Sequence, residues 1–398
     1  MSTPVIRRLL AVAGLGVLSM VLWITLAGPT VVGRILRYNV SDIDDYRIFP
    51  SRHMSAAATP FRFRPPSTAA SAFPAALSAG RLRDVSVADF MTRTDTVALL
   101  VLRGDEVLYE GYRDGLSAAT PSMAFSVSKS ILSILVGCAL ADGHLSSVDQ
   151  PVTDFVPELR HRGFDAVTLQ HLLQMTSGID YTESDNPFGR HARFYYTAGL
   201  ERDILSLRLH DVPGRRFVYK SADAYLLTLA LQRALGTRRI TDYMTERLWH
   251  PLGMENDGGW SVDTPAGLEK TACCLTLTAR DLAKFGRLYL QGGMWQGRRI
   301  VPEPWIRTST RADRAAAGGE GYRNLWWLVA PDRPDYFASG HLGQFLYVNP
   351  AADVVIVRFG RSLGGLRRED WIRFFVTLSG RLAPGRATSA VHPPSHSP

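Results

Sequence analysis

Ser126-Val127-Ser128-Lys129-Ser130-Ile131-Leu132-Ser133-Ile134-Leu135-Val136-Gly137-Cys138-Ala139-Leu140-Ala141 contains a single charged side chain, Lys129. So apolar a run, with serines spaced through it, predicts a buried helix over Ser128 to Ala141 that begins near Ser126. Lys129 follows Ser126 by three residues, which puts both on one helix face. A serine hydroxyl is a poor nucleophile until a base takes its proton. Lysine can be that base where its ammonium is disfavoured. Two features here act in that direction: the positive partial charge of a helix N-terminus, and the apolar neighbours Phe125, Val127, Ile131 and Leu132. The first amides of the helix are also suited to hold a developing oxyanion.

Around this stretch the β-forming segments lie towards both ends of the chain. Val97 to Leu102 and Glu106 to Tyr112 flank Gly104-Asp105, a hairpin signal. Tyr336 to Val348 and Val354 to Phe359 flank the turn dipeptide Asn349-Pro350. Between the two groups the patterns are helical: Leu169 to Met175 before Gly178, Asp223 to Leu235 before Gly236, and Ala279 to Leu290 before Gly292. Trp371 to Leu378 reads as a closing helix. That order predicts an α+β fold, one antiparallel sheet flanked by helices with an inserted helical lobe. Pro50 to Pro74 is rich in Pro, Ser and Ala and reads as a linker or an irregular arm laid over the domain. The expected divisions are a membrane segment over 1–33, an arm over 34–80, a hydrolase domain over 81–382 and a disordered tail over 383–398.

Composition narrows the function. The chain has 398 residues, 46% hydrophobic and 21% charged, enough for a large core or two lobes sharing a cleft. Its net charge of +8 comes almost wholly from dispersed arginines, with only Lys129, Lys220, Lys270 and Lys284 as lysines. No basic block or aromatic-interleaved basic stripe occurs, so a nucleic-acid partner is not expected. Cys273 and Cys274 are adjacent, a poor geometry for an ordinary disulfide, and Cys138 reads as a small buried hydrophobe. With no CxxC or HExxH, neither a metal site, a cofactor nor a disulfide framework is expected.

Leu9 to Gly33 contains no charged side chain. At ~1.5 Å per residue this exceeds a hydrocarbon core of ~30 Å, which predicts one N-terminal transmembrane helix. Arg7 and Arg8 precede it and Asp42, Asp44 and Asp45 follow, a bias that puts the body on the extracytoplasmic side. A cleaved signal peptide is the competing reading; the length of the run and the lack of a clean A-x-A site favour the anchor.

Two further constellations point to chemistry. Tyr219-Lys220-Ser221 stands at the mouth of a helical pattern, and a tyrosine near a lysine can pass a proton to a leaving group. His341-Leu342-Gly343 falls within the Tyr336 to Val348 strand. A glycine there permits close backbone approach to a ligand, and the following amide, that of Gln344, is placed to complete an oxyanion hole.

SxxK, a tyrosine motif and a K/H-x-G triplet, in this order, resemble the serine β-lactamase and penicillin-recognising family. The nearest likeness is to its class C-like branch, with its esterases and 6-aminohexanoate-dimer hydrolases. Val167 to Gly178, Pro251 to Glu255, Thr278 to Gly286 and Gly343 to Pro350 add to the resemblance, which spans Val97 to Phe375. It implies that Ser126 is acylated, Lys129 is its base and Tyr219 transfers the proton, with Ser221, His341, Gly343 and Gln344 lining the substrate. Tyr181 resembles a substrate-contacting tyrosine of the amide-hydrolase members. The chain departs from true β-lactamases in having His-Leu-Gly for Lys-Thr-Gly and Tyr-Lys-Ser for Tyr-x-Asn. The first removes a fixed positive charge, the second an amide partner. Short esters or linear amides are therefore expected as small-molecule substrates over β-lactams or D-Ala-D-Ala peptides. A non-catalytic or single-turnover membrane receptor is the alternative from another class. Gly360-Arg361-Ser362-Leu363-Gly364 satisfies GxSxG, but no further strand follows to present an acid and a histidine, so an α/β-hydrolase reading fails.

Overall fold

The computed structural model describes Gly14 and residues 28–38, 40–65, 73–184, 186–313 and 321–383. The run from Leu9 lies almost wholly outside them, as does the tail beyond Ala383. Among the described residues no helix is long and apolar enough to cross a membrane. The end of the expected span is instead the start of helix α1, Pro29–Tyr38, whose Val31, Val32 and Ile35 are buried against the domain.

Seven antiparallel strands form the main sheet, in the order Tyr322–Arg323, Trp326–Leu328, Tyr336–Gly340, Gln344–Asn349, Val354–Gly360, Thr96–Arg103, Glu106–Tyr112. The two strand groups from opposite parts of the chain therefore meet inside one sheet, Val354 opposite Arg103 and Val357 opposite Leu100. Every residue from Thr96 to Leu102 is buried because both faces of this strand are covered. Ala98, Leu100 and Leu102 face the larger core, which holds helix α2, Val127–Ala141. Leu99 and Val101 join Phe345, Tyr347 and Ile356 on the other face. The α+β sheet with an inserted helical lobe is thus as expected.

Three differences from the sequence reading bear on the site. Tyr336 to Val348 is two strands, joined by a tight turn over His341–Gly343 in which Leu342 has φ +60°. A leucine in the left-handed region has no signature in hydropathy, so the break was invisible in the pattern. The proline-rich arm is docked, with Ser51–Met54 pairing antiparallel to Gly258–Ser261. That second sheet continues through Leu275–Leu277 to Ser122–Met123. Finally, Cys273 and Cys274 are joined by a disulfide, against expectation. Cys274 lies in the left-handed region at φ +70°, a turn conformation that the ordinary pairing rule for separated cysteines does not consider.

Candidate active site

Helix α2 is buried from Val127 to Cys138, and three of its polar side chains, Ser128, Lys129 and Ser130, have specific partners. Ser130 Oγ donates to the Leu325 carbonyl at 2.7 Å, and Ser128 Oγ accepts from the Leu275 amide at 3.1 Å. These bonds satisfy groups that burial would otherwise leave unpaired, and they tie the helix to the turn before Trp326–Leu328 and to the strand Leu275–Leu277. Ser126 caps the helix, after Phe125 in the left-handed region at φ +46°. Lys129 is 1% exposed, and its Nζ lies 2.8 Å from Ser126 Oγ and 2.7 Å from the Ala272 carbonyl oxygen. The same Nζ sits 5.2 Å from the centre of the Tyr219 ring.

Ser126 opens into a cavity of about 830 Å³. Phe125, Tyr219, Ser221, His341 and Leu342 line it, so two sequence-separated motifs converge on the serine as expected. The Tyr219 ring lies against Trp327, with centroids 5.4 Å apart. Ser221 begins helix α3, Ser221–Ala234.

Three expected lining residues lie elsewhere. The Gln344 amide donates to the His341 carbonyl, so it is not available to an oxyanion. Its side chain spans to the Gly360 carbonyl at 2.7 Å. Gly343 admits a close approach, but of Arg358 rather than a ligand: a Cβ at this position would meet the Arg358 guanidinium. Arg358 is fully buried and donates to the Gly343, Leu342, Thr94 and Ser362 carbonyls and to Thr96 Oγ1. Burial pushes its pKa down to about 9. Tyr181 is not among the residues lining the cavity; its hydroxyl pairs with His191 Nδ1 at 3.1 Å, behind the wall. Ser362, the GxSxG serine, pairs with Asp95 and receives Arg358 on its carbonyl.

Two cavity residues escaped the sequence reading. Glu183 bonds His191 Nδ1 at 2.7 Å and accepts from the Ser221 amide at the start of α3. Burial pushes the Glu183 pKa up, but the His191 hydrogen bond and charge, with Lys129 and Ser221, outweigh it and hold it at about 2. Arg368 also lines the cavity, its guanidinium 4.0 Å from the Trp327 ring centre. It brings a cation to the cavity that the loss of lysine at His341 had removed on paper. Neither residue sits in a motif; both arrive from elements distant in sequence.

Residues 84–375 match the family model for Beta-lactamase. The chain is 31% identical over 289 residues to the 6-aminohexanoate-dimer hydrolase of Paenarthrobacter ureafaciens, covering 67% of this chain and 73% of that protein. Its fold matches that of a candidate 6-aminohexanoate-dimer hydrolase from Bacillus anthracis at a TM-score of 0.76 and 19% identity, over 87% of this chain and 94% of the other. A family VIII carboxylesterase matches at a TM-score of 0.58 and 16% identity, over 74% and 95%. With Ser126 and Lys129 in contact under the cavity and a family model spanning most of the domain, the chain belongs to the Beta-lactamase family and is a serine hydrolase.

Proposed function

We propose that this enzyme cleaves amide or ester bonds through an acyl-enzyme on Ser126, with Lys129 as the base and Tyr219 as the proton shuttle. One observation carries the reading: Lys129 Nζ lies 2.8 Å from Ser126 Oγ at the floor of the cavity. In the first half-reaction Lys129 takes the hydroxyl proton as Oγ attacks the carbonyl carbon. The backbone amides of Ser126 and of the His341–Leu342 turn are the groups suited to hold the oxyanion. The Tyr219 hydroxyl, on the ring that Lys129 faces, protonates the departing amine or alcohol. Water then attacks the acyl carbon, the same groups moving the proton in reverse.

Glu183 and Arg368 both line the cavity, one anionic and one cationic, and come from elements distant in sequence. That supports a linear substrate with polar or charged ends over a compact bicyclic lactam. The names of the relatives, a dimer hydrolase and a carboxylesterase, agree with this class. The proposal extends to placement: the uncharged run from Leu9 anchors the protein, with the domain on the extracytoplasmic side.

A fluorophosphonate probe should label Ser126 in the wild-type protein. Ser126→Ala should abolish labelling and ester turnover together, while Ser128→Ala and Ser362→Ala should still be labelled. An adduct mapped by mass spectrometry to Ser362 would reject the assignment, and stoichiometric acylation without turnover would favour a receptor.

A further inference from the structure

Of four consecutive residues, Ala272 to Leu275, the first and last bond the segment that carries the nucleophile and base, and the middle two bond the strand Gly258–Ser261. The Ala272 carbonyl accepts from Lys129 Nζ at 2.7 Å. The Cys273 carbonyl accepts from Trp260 Nε1 at 2.9 Å and the Cys274 carbonyl from the Ser261 amide at 3.1 Å. Leu275 uses both of its backbone groups: its amide donates to Ser128 Oγ at 3.1 Å and its carbonyl accepts from the Ala124 amide at 2.8 Å.

The disulfide between Cys273 and Cys274 lies in the middle of this stretch. The ring it closes contains the peptide between the two residues, so it removes backbone torsional freedom one residue from the carbonyl that holds the base. The two sulfurs differ in access. Cys273 lines the active-site cavity at 8% exposure, with its Sγ 3.5 Å from the Tyr225 hydroxyl; Cys274 is fully buried. Among the described residues, the substrate cavity thus offers a solvent-borne reductant a route to the bridge, and at Cys273.

We propose that the Cys273–Cys274 disulfide is a redox latch on the catalytic base: closed, it fixes Lys129 through the Ala272 carbonyl, and opened by a small dithiol it lets the base drift and turnover fall. The inference rests on reading Lys129 as the base of Ser126. A thiolate of the dithiol attacks Cys273 Sγ, the bond to Cys274 Sγ breaks, and Cys274 takes up a proton as a thiol. The second thiol of the reductant then displaces Cys273 as its own thiol, so the protein gains two electrons and two protons and the reductant leaves as its cyclic disulfide. In an oxidising compartment the latch stays closed.

The test uses the full chain purified without reductant. Native alkylation with iodoacetamide and mass spectrometry would count thiols at 273 and 274 before and after dithiothreitol. Turnover of a p-nitrophenyl short-chain ester would be followed over pH in both states. Reduction should lower kcat about tenfold or more, with KM moving far less, as expected when positioning of a base is lost. The limb of the kcat profile that reports the base should shift, and reoxidation should restore both. Cys273→Ala with Cys274→Ala should fix the rate at the reduced level and remove the response to dithiothreitol. Free thiols in the unreduced protein, or an unchanged kcat with both cysteines alkylated, would overturn the latch. Fluorophosphonate labelling separates the two ideas. Absent labelling of Ser126 in the oxidised enzyme rejects the site itself; equal labelling rates in both redox states reject the latch alone.

Discussion

Lys129 and Tyr219 are coupled by contact, so their loss should not add. Lys129→Ala and Tyr219→Phe should each reduce kcat by about 10² or more, the scale of positioned acid–base catalysis. The double variant should fall little further, as in groups that act as one unit. Near wild-type rates in either single variant would remove that residue from the proton path. Glu183 makes a pH prediction. Its carboxyl pKa is depressed to about 2 in the folded protein, below the ~4.3 of a free glutamate. The stability it contributes is thus complete above pH ~4.3 and is lost as pH falls towards 2. Glu183→Gln should flatten the acid limb of Tm against pH between those values; an identical limb in the variant would contradict the linkage. At this scale the sequence was informative only where the chemistry was local. Ser126 and Lys129 are one helical turn apart, and that spacing survives folding unchanged. Glu183, Arg368 and the Cys273–Cys274 bridge are brought to the cavity by chain separations that no local pattern encodes.

Among the elements, the turn after Tyr336–Gly340 shows how a motif can be read correctly and still be misassigned. His341 reaches the cavity, but Gly343 is there for Arg358 and Gln344 for Gly360. A buried guanidinium with four carbonyl partners is a strong organiser because each bond is charge-assisted. Gly343 is also at φ +79°, where side chains are strained. Gly343→Val should therefore cost about 2–4 kcal/mol of stability in chemical denaturation, from strain plus displacement of Arg358. It should also cut ester turnover by displacing the His341–Leu342 amides. Full stability in that variant would mean that Arg358 yields without penalty. The other family stretches, Pro251 to Glu255 and Thr278 to Gly286, meet each other instead of the cavity. Asp281 accepts from the Glu255 and Asn256 amides, and Lys284 donates to the Gly253 carbonyl at 2.7 Å. Helices and hairpins were legible from periodicity; Ala279–Leu290 has the expected bounds. The turn at Leu342 and the docking of the arm were not, because both depend on partners far along the chain.

At the scale of the whole molecule, the N-terminal segment and the cavity are neighbours. Val40, just past α1, is 72% exposed and lines the cavity with Ser41. Arg34 of α1 donates to the Tyr196 carbonyl at 2.9 Å, and Tyr196 is another lining residue. On the proposed reading of the run from Leu9 as an anchor, the anchored segment enters the domain on the side of the cavity. The intact protein should sediment with membranes and resist carbonate extraction, with a C-terminal reporter active only outside the cytoplasm. Recovery of a soluble chain lacking the residues before about 28 would show cleavage instead.

The pairing of Thr96–Arg103 with Val354–Gly360 places a demand on synthesis. The earlier strand leaves the ribosome apolar on both faces and waits for its partner while the entire helical lobe is translated. Contacts that distant along the chain close slowly, since loop entropy must be overcome before pairing rewards it. Until then, Val97 to Leu102 has only its hairpin partner Glu106–Tyr112, and its other edge is open to pairing with another chain. Expression yield, more than catalytic rate, is therefore the property most exposed to changes in residues 354–360.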